Sequence, residues 1–423
     1  MSIEKKPSSA LLALGAAAAV LPAYAPTATA AVNWEADSGY RFSWYKEADL
    51  PSAATNGLDG ERMEVLTHQF HLLAPVNETL DYSVDATVDT LTGASPWFIV
   101  PNASGRPIQI MSGATIDETR YALQGRLRQH HDGGRRALQF GVSKEDDYLA
   151  FSGGIEAEWD FNQQSQTLAA GVSLSHDELE PVDGDSEQFP DRIDKADKDS
   201  LTAYTGFTHA FDRHTVAQIG AAWTHGDGYL SDPYKRVYVA GDILPDRRPG
   251  TRDAFALTAR LRHFLPGLNA AVHLDMRYFV DDWGIGSDTF EAAWVQKLPG
   301  NWRLTPTLRW YQQGHADFYR PYFTVARGDE RYSSDPRMSA FGALSGRIAL
   351  QKEWRQQWSF ALSVEGYRSE ADFALRNVDS ENPGLVEFGV VSLAFSYRWF
   401  SAPSSRPVQF VEPPPVRVIE VLP

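Results

Sequence analysis

Cysteine is absent from the 423-residue sequence. Its absence excludes disulfide bonds, thiolate metal sites, cysteine nucleophiles and covalent haem attachment. Positive charge is also scarce, and the formal net charge at pH 7 is -16. This argues against nucleic acid as a partner, because phosphate groups need a basic surface. We expect a fold held by packing and hydrogen bonds alone, with no cofactor and no metal site.

Long apolar runs are missing as well. After the N-terminal region, no stretch approaches the ~20 consecutive apolar residues that a membrane-spanning helix needs. Only helices and closed barrels satisfy every backbone polar group in lipid. If this chain spans a membrane, it must therefore do so as a β-barrel.

Residues 1–30 have the layout of a Sec-type signal peptide. Lys5 and Lys6 supply a positive start, an alanine-rich apolar segment covers 9–20, and small residues lead up to Ala30. A short membrane anchor is the alternative, but the apolar segment is too short for one. We therefore expect export by Sec and a mature chain beginning directly after residue 30.

The segment LDYSVDATVDT, residues 80–90, alternates apolar and polar side chains. Successive side chains of a strand point to opposite faces, so this alternation indicates a β-strand with one face of each kind. In a soluble sandwich the acids would face solvent. In an outer-membrane barrel the apolar face contacts lipid, and the acids line a wet interior.

Similar alternating segments follow one another almost to the end of the chain. They are long for globular strands but match the ~9–11 residues of a tilted membrane strand. We predict about sixteen strands, with about 14 or 18 as alternatives. Their ranges are 39–47, 62–74, 78–91, 118–131, 135–145, 148–161, 165–176, 200–211, 214–226, 253–265, 268–281, 286–298, 301–313, 338–352, 358–370 and 385–400.

Loop length alternates along the chain. Every second connection is a short turn: PVNE, HDGGR, NQQS, DRH, LPG, LPGN and EWRQQW. Most of the others are long: 48–61, 92–117, 177–199, 227–252, 314–337 and 371–384. Short periplasmic turns and long external loops are typical of a transmembrane antiparallel up-and-down β-barrel. An even number of strands places both chain ends in the periplasm.

This pattern divides the chain into a signal peptide (1–30), an outer-membrane barrel (31–400) and a proline-rich periplasmic tail (401–423). The tail cannot supply a central strand, because proline lacks the N–H that the ladder needs. Tryptophans near strand ends suit the aromatic girdles of such barrels. These are Trp44, Trp159, Trp223, Trp283, Trp302, Trp354, Trp358 and Trp399.

Six segments in order resemble an uncharacterised family of proteobacterial outer-membrane proteins, domain of unknown function 3570. They are SWYKE (43–47), VDTLTGASPW (88–97), YLSDPYKRV (229–237), MRYFVDDWGI (276–285), LRWYQQGHADFY (308–319) and YSSDPRMSAFGAL (332–344). The resemblance implies an outer-membrane barrel and carries no established activity. Members often occur beside a thioredoxin-like protein and a flavin transferase, which implies a redox context in the cell envelope.

Charged side chains on the inward faces are the first candidate site. The third and fourth strands should bring acids beside arginines, and further charges point inward from the eleventh and thirteenth strands. Opposed ladders would create a transverse field that orients polar or zwitterionic solutes. Alternatively, these charges pair across strands and only stiffen the wall. The residues are Asp81, Asp85, Asp89, Arg120, Arg126, Arg128, Asp275, Arg277 and Arg309.

Other chemistry has weaker support in the sequence. His273 and Asp275 lie two apart on one strand face and could serve a membrane hydrolase as base and orienting acid. No nucleophile is identifiable beside them, so we do not expect an enzyme. Histidines at 130–131 and at 315 could bind a metal, but isolated histidines at turns are mostly solvated, and we assign no metal ligand.

Two external loops contain candidate gate residues. The first includes Ser95 and Trp97, and the second includes Asp232, Tyr234 and Lys235. Such loops could fold into the barrel mouth as a constriction, or could simply pack on themselves.

The sequence favours a porin-like channel or transporter for small polar solutes in the outer membrane of a Gram-negative bacterium. The first alternative is a structural or interaction barrel with a plugged lumen, which docks a periplasmic, redox-linked partner through 401–423. An outer-membrane hydrolase is the third. The expected partners in every case are outer-membrane lipid, lipopolysaccharide and the barrel assembly machinery.

Overall fold

The computed structural model describes residues 35–58, 60–112, 116–184, 186–187, 189–378 and 381–400. Nearly all regular structure in them is β-strand. The strands are β1 Glu35–Glu47, β2 Glu64–Asn77, β3 Leu80–Gly93, β4 Pro96–Pro101, β5 Pro107–Met111, β6 Ile116–His131, β7 Gly134–Lys144, β8 Tyr148–Phe161, β9 Gln166–Leu179, β10 Ala196–Ala210, β11 Thr215–Gly228, β12 Arg236–Val239, β13 Asp242–Pro245, β14 Thr251–Leu265, β15 Ala270–Asp281, β16 Gly286–Leu298, β17 Trp302–Gln313, β18 Phe341–Trp354, β19 Trp358–Glu370 and β20 Glu387–Phe400.

Sixteen of these strands form a closed antiparallel barrel, in the order β1-β2-β3-β6-β7-β8-β9-β10-β11-β14-β15-β16-β17-β18-β19-β20. The barrel closes where β1 pairs with β20 over Glu35–Glu47 and Phe388–Phe400. Each barrel strand therefore pairs with the barrel strands that precede and follow it in the sequence, as the up-and-down prediction requires. The predicted count of sixteen is confirmed, and in the described part of the chain no helix is long and apolar enough to cross a membrane.

The large apolar side chains lie on the outer face of this wall. Phe140 and Ile155 are 60% and 61% exposed, whereas Asp81 and Asp89 are only 7% and 3% exposed. The register places Asp81 opposite Arg128 and away from the apolar face of β3. The alternation of residues 80–90 thus has its acids inside and its aliphatic side chains outside, which confirms the inside-out arrangement expected of a membrane barrel.

One end of the barrel has short turns, and the other end has eight connections, of which six are long. We name these L1 (48–63), L2 (94–115), L3 (145–147), L4 (180–195), L5 (229–250), L6 (282–285), L7 (314–340) and L8 (371–386). L3 and L6 are short, as the sequence predicted. Both chain ends of the barrel, Glu35 and Phe400, lie at the short-turn end.

The predicted strand boundaries differ from the observed ones by four residues at most, as at β1, which begins at 35 instead of 39. The alternation did not reveal two short hairpins, β4–β5 within L2 and β12–β13 within L5. The predicted signal peptide (1–30) and tail (401–423) lie outside the described residues.

The prediction of an aromatic girdle is wrong for Trp283. This side chain is 4% exposed and packs with Ile285, Phe318 and Met338 in a buried cluster of L6 and L7. Its indole N–H donates to the Thr251 carbonyl at 2.8 Å. Trp283 is therefore a core residue of the loops instead of a membrane-interface anchor.

Candidate functional site: a charged lumen beneath a loop cap

The inward face of β3, β6, β7 and β8 carries paired charges. Arg128 Nε donates to Asp81 at 2.6 Å, and Arg120 Nε donates to Asp89 at 2.9 Å. Carboxylates outnumber arginines on this face, which we call the acidic sector. Its acids are Asp81, Asp85, Asp89, Glu118, Glu156, Glu158 and Asp160, and its arginines are Arg120, Arg126, Arg128 and Arg135.

The predicted neighbours of Asp85 and Arg126 differ from the observed ones. Asp85 lies opposite Gln124, and His71 Nδ1 is 2.8 Å from its carboxylate. Arg126 reaches the other way, to Glu156 at 3.6 Å. The strand register decides this outcome, because it sets the arginines of β6 opposite Asp81, Ser83 and Asp89 instead of opposite all three aspartates.

The inward face of β14–β19 has the opposite balance, and we call it the basic sector. Its cations are Arg252, Arg260, Arg262, Arg277, Lys297, Arg303, Arg309 and Arg347, and its acids are Asp275, Asp281, Glu291, Glu353 and Glu365. Cations outnumber acids here. One row of the ladder runs Arg260–Asp275–Glu291–Arg309 across four strands, so two adjacent acids are flanked by an arginine on each side.

The His273–Asp275 pair lies on this wall. The Asp275 carboxylate contacts Arg260 at 3.2 Å and Arg262 at 2.8 Å. His273 faces Arg262 in the β14–β15 register. Asp275 is thus engaged by two guanidinium groups, an arrangement that fixes the carboxylate on the wall.

The two sectors lie on opposite sides of the ring. Three strands, β9–β11, separate them on one side, and three others, β20, β1 and β2, separate them on the other. The inward side chains of β9–β11 are mainly small and uncharged, such as Ser173 and Thr202, whereas β1 and β20 place both acids and arginines on the inward face. A solute in the lumen would therefore meet excess negative charge on one wall and excess positive charge on the facing wall.

Loops that arise far apart meet above the opening at the long-loop end. L2 begins six strands from both L5 and L7 in the sixteen-strand ring. Nevertheless, Lys235 Nζ of L5 donates to the Pro96 carbonyl of L2, and the Tyr322 hydroxyl of L7 donates to the Gly105 carbonyl at 2.6 Å. Such contacts require the loops to cross the mouth. We call the contacting parts of L2, L4, L5, L7 and L8 the loop cap.

The cap has a core of its own. Val237 and Val239 of the L5 hairpin pack against Phe323 and Tyr332 of L7, and all four are buried. Val239 also forms a parallel bridge with Phe323. The cap is thus a small folded unit and not a set of solvated loops.

Charged groups are buried around this core. Arg337 Nη2 lies 2.9 Å from Asp232 and also contacts Asp335, while Arg248 reaches Asp335 at 2.9 Å. Although burial opposes its ionisation, the guanidinium of Arg337 together with Lys235 holds the pKa of Asp335 well below its usual range. Burial lowers the pKa of Lys235. These ion pairs connect L5 to L7.

The predicted gate residues of L5 all take part in these contacts. Asp232 binds Arg337, Lys235 binds L2, and the Tyr234 hydroxyl donates to Asp147 of L3. Burial raises the pKa of Asp147 to about 6, against the hydrogen bond from Tyr234, which lowers it.

The predicted gate residues of L2 lie in the same cap. Ser95 is buried, and its backbone N–H donates to Ser112 Oγ at 3.2 Å. The Trp97 ring approaches Phe189 of L4 edge-on, with a centroid distance of 6.4 Å. No group of three or more potential ligands suited to a metal ion occurs among the described residues.

Sequence reasoning missed several of these side chains. Period-two alternation could have placed Arg260, Arg262 and Arg347 on the inward face, because they share it with residues already assigned. No local pattern marks the partners of the cap, such as Asp335 and Arg337, since these are joined by loops that meet only in the folded chain.

The chain is similar to several solved outer-membrane proteins. It is similar to a bacterial polysaccharide outer membrane secretin, with 8% identity and a TM-score of 0.44 over 86% of this chain and 98% of that one. It is similar to Pseudomonas aeruginosa OpdK, solved with vanillate, with 11% identity and a TM-score of 0.40 over 86% and 98%.

It is also similar to a loop-deletion mutant of OmpT, an outer membrane protein of Vibrio cholerae, with 8% identity and a TM-score of 0.40 over 88% and 100% of the two chains. No curated protein matches the sequence. The model of the family "Protein of unknown function (DUF3570)" matches residues 8–386. Since that match covers most of the sequence, the chain belongs to the DUF3570 family.

Proposed function

We propose that this protein is exported by Sec to the outer membrane of a Gram-negative bacterium and allows small polar solutes to cross it. The observation that carries the proposal is the pair of oppositely charged sectors facing each other across the lumen, inside a wall with an apolar outer face. A barrel with sixteen strands is wide enough to hold water where loops do not fill it.

The opposed sectors supply the selectivity. Within each sector most charges pair with neighbours, which keeps the wall stiff. The remaining imbalance is negative on one side and positive on the other, and it produces a field across the lumen. Such a field orients dipolar solutes, and zwitterions above all, as they pass.

The loop cap serves as the gate. Because L5 and L7 are joined to L2 over the opening, a solute entering from outside must pass between these loops or displace them. The ion pairs of Arg337 with Asp232 and Asp335 hold L5 against L7 and would set the ease of opening.

Planar-bilayer recording of the full-length refolded protein tests the proposal. We expect discrete conductance steps, and we expect the Arg126→Ala, Arg128→Ala double variant to shift ion selectivity toward cations, because it deepens the negative imbalance of the acidic sector. Arg213→Ala, in the exposed turn 211–214, removes a charge outside the lumen and should leave selectivity unchanged. Unchanged selectivity in the double variant would argue against the field.

The cap contacts favour a second candidate function, in which the barrel is permanently closed and acts as a structural or interaction protein that docks a periplasmic partner through 401–423. The same recordings separate the two functions. If neither the natural protein nor an Arg337→Ala variant with a weakened cap shows channel events, the channel is excluded and the second candidate is favoured.

A further inference from the structure

The basic sector contains polar atoms that the described residues do not satisfy. Nε and Nη1 of Arg347 and Oγ1 of Thr307 are buried and have no hydrogen-bond partner there. The two residues face each other directly in the β17–β18 register. A buried donor without an acceptor is costly, and Arg347 as a whole is only partly buried, so its flexible side chain can turn these donors toward an acceptor in the lumen.

Two of the neighbouring inward side chains are small. Thr307 lies opposite Ala293 on its other side, and the next inward position of β18 after Arg347 is Ala349. Arg309 is the next inward residue of β17 after Thr307, so its guanidinium group arises beside that of Arg347. Two cations and a hydroxyl group therefore border a stretch of wall with small side chains.

The wall already pairs guanidinium groups with carboxylates. Asp275 is held by Arg260 and Arg262 at 3.2 and 2.8 Å. The guanidinium fork matches the two oxygens of a carboxylate, which makes arginine the preferred partner for this group. We propose that Arg347, Thr307 and Arg309 form a binding site for the carboxylate of a small organic anion or zwitterion.

The neighbouring acids favour a singly charged carboxylate over phosphate. Glu365 faces Arg347 across β18 and β19, and Glu291 faces Arg309 across β16 and β17. These two negative charges offset the two guanidinium charges, so the second charge of a phosphate gains no net Coulomb attraction here and adds to the cost of desolvation. This inference deepens the proposed function, on which it rests for the route by which a solute reaches the lumen, by naming the class of solute.

Calorimetric titration of the full-length barrel in a non-ionic detergent tests the site. The probes are gluconate, glucose, which lacks the carboxylate, and inorganic phosphate. We expect binding of gluconate but not of glucose. Arg347→Ala should weaken gluconate binding by about 10- to 100-fold, the range for hydrogen bonds to a charged group. Thr307→Val keeps the side-chain shape and should weaken binding by about threefold to tenfold.

The control and the fold check keep the outcomes distinct. Arg213→Ala removes one charge from the exposed turn 211–214 and should bind gluconate as the natural protein does. A difference in gel mobility with and without boiling reports that each variant is folded. Absent gluconate binding, undiminished binding in folded Arg347→Ala, or tighter binding of phosphate overturns the site. The titration needs no transport, so failure of the channel proposal would appear separately in the bilayer recordings.

Discussion

In the barrel wall, large apolar side chains such as Ile155 and Phe140 face outward and are 61% and 60% exposed, whereas in the loop cap Val237 and Phe323 are buried at 0% and 3%. Charged groups show the same contrast in position. Several wall charges, such as those of Asp85 and Arg262, keep partial access to water, although others such as Asp89 are buried, while Asp335 in the cap is 1% exposed.

The two regions are therefore stabilised differently. The wall is continuous, because every strand pairs with two neighbours and the ring has no edge. The cap depends on a small apolar core and a few buried ion pairs between loops. This difference indicates that the cap can open while the wall stays intact, as expected for local unfolding of regions with few packed contacts.

Arg337→Ala should have the largest effect, and it should be confined to the cap. The substitution removes the arginine that pairs with the buried carboxylate of Asp232 and one of the two arginines that contact Asp335. Breaking a buried ion pair in this way costs about 3–5 kcal/mol. Hydrogen exchange measured by mass spectrometry should therefore speed up in L5 and L7, with little change in β16 and β17.

Arg247→Ala is the matched control within the cap. Arg247 pairs with Glu330 at 3.3 Å, but the two side chains are 56% and 75% exposed. Exposed pairs contribute about 0–1 kcal/mol, so loop exchange should barely change. If Arg337→Ala and Arg247→Ala accelerate exchange equally, or if the wall strands accelerate together with the loops, the separation of cap and wall is wrong.

Ile155→Arg tests the outer face of the wall. Ile155 lies near the middle of β8, and an arginine on the lipid face near the midplane costs about 2–4 kcal/mol. Ser173 lies at almost the same depth on β9, opposite Gly154, but on the inward face. Equilibrium unfolding in lipid vesicles should show a large loss for Ile155→Arg and a much smaller one for Ser173→Arg. Equal losses would contradict the assignment of the faces.

The contrast between the regions also explains how far the sequence predicts the fold. A strand repeats its environment every two residues, so alternation like that around Asp81 and Val84 predicts the strands of the wall, their two faces and nearly all strand boundaries. Loop length then predicts which connections lie at each end of the barrel. The exact pairing of inward side chains is harder to predict from the sequence, because the register depends on each turn. This is why Asp85 contacts His71 and not Arg126.

The cap has no such periodic signal. Lys235 contacts Pro96, which is 139 positions away in the sequence, and Arg248 contacts Asp335, which is 87 positions away. The sequence places Asp232 and Lys235 in an external loop, but their burial and their partners depend on loops that meet over the opening. Buried ion pairs of this kind are properties of the assembled cap, and a single sequence does not contain them.

Glu145 lies where the two regions join, and the change in stability that we expect from it is, for each pH unit, smaller than the effects above. It is 4% exposed in L3, and neither carboxyl oxygen has a hydrogen-bond partner among the described residues. Burial raises its pKa from 4.5 to about 8, and the nearby Asp147 carboxylate adds to the rise. Between those two values the folded protein binds more protons than the unfolded chain, so its stability falls as pH rises.

A single proton limits the slope to about 1.4 kcal/mol per pH unit. Urea unfolding between pH 5 and pH 8, about the span of the shift, should therefore show a falling free energy of unfolding, and Glu145→Gln, which cannot ionise, should reduce that fall. Asp335 does not obscure the measurement, because its lowered pKa leaves it ionised throughout this window. A slope that is the same in Glu145→Gln would mean that Glu145 reaches water or a cation through the junction, so that the cap and wall do not close around it.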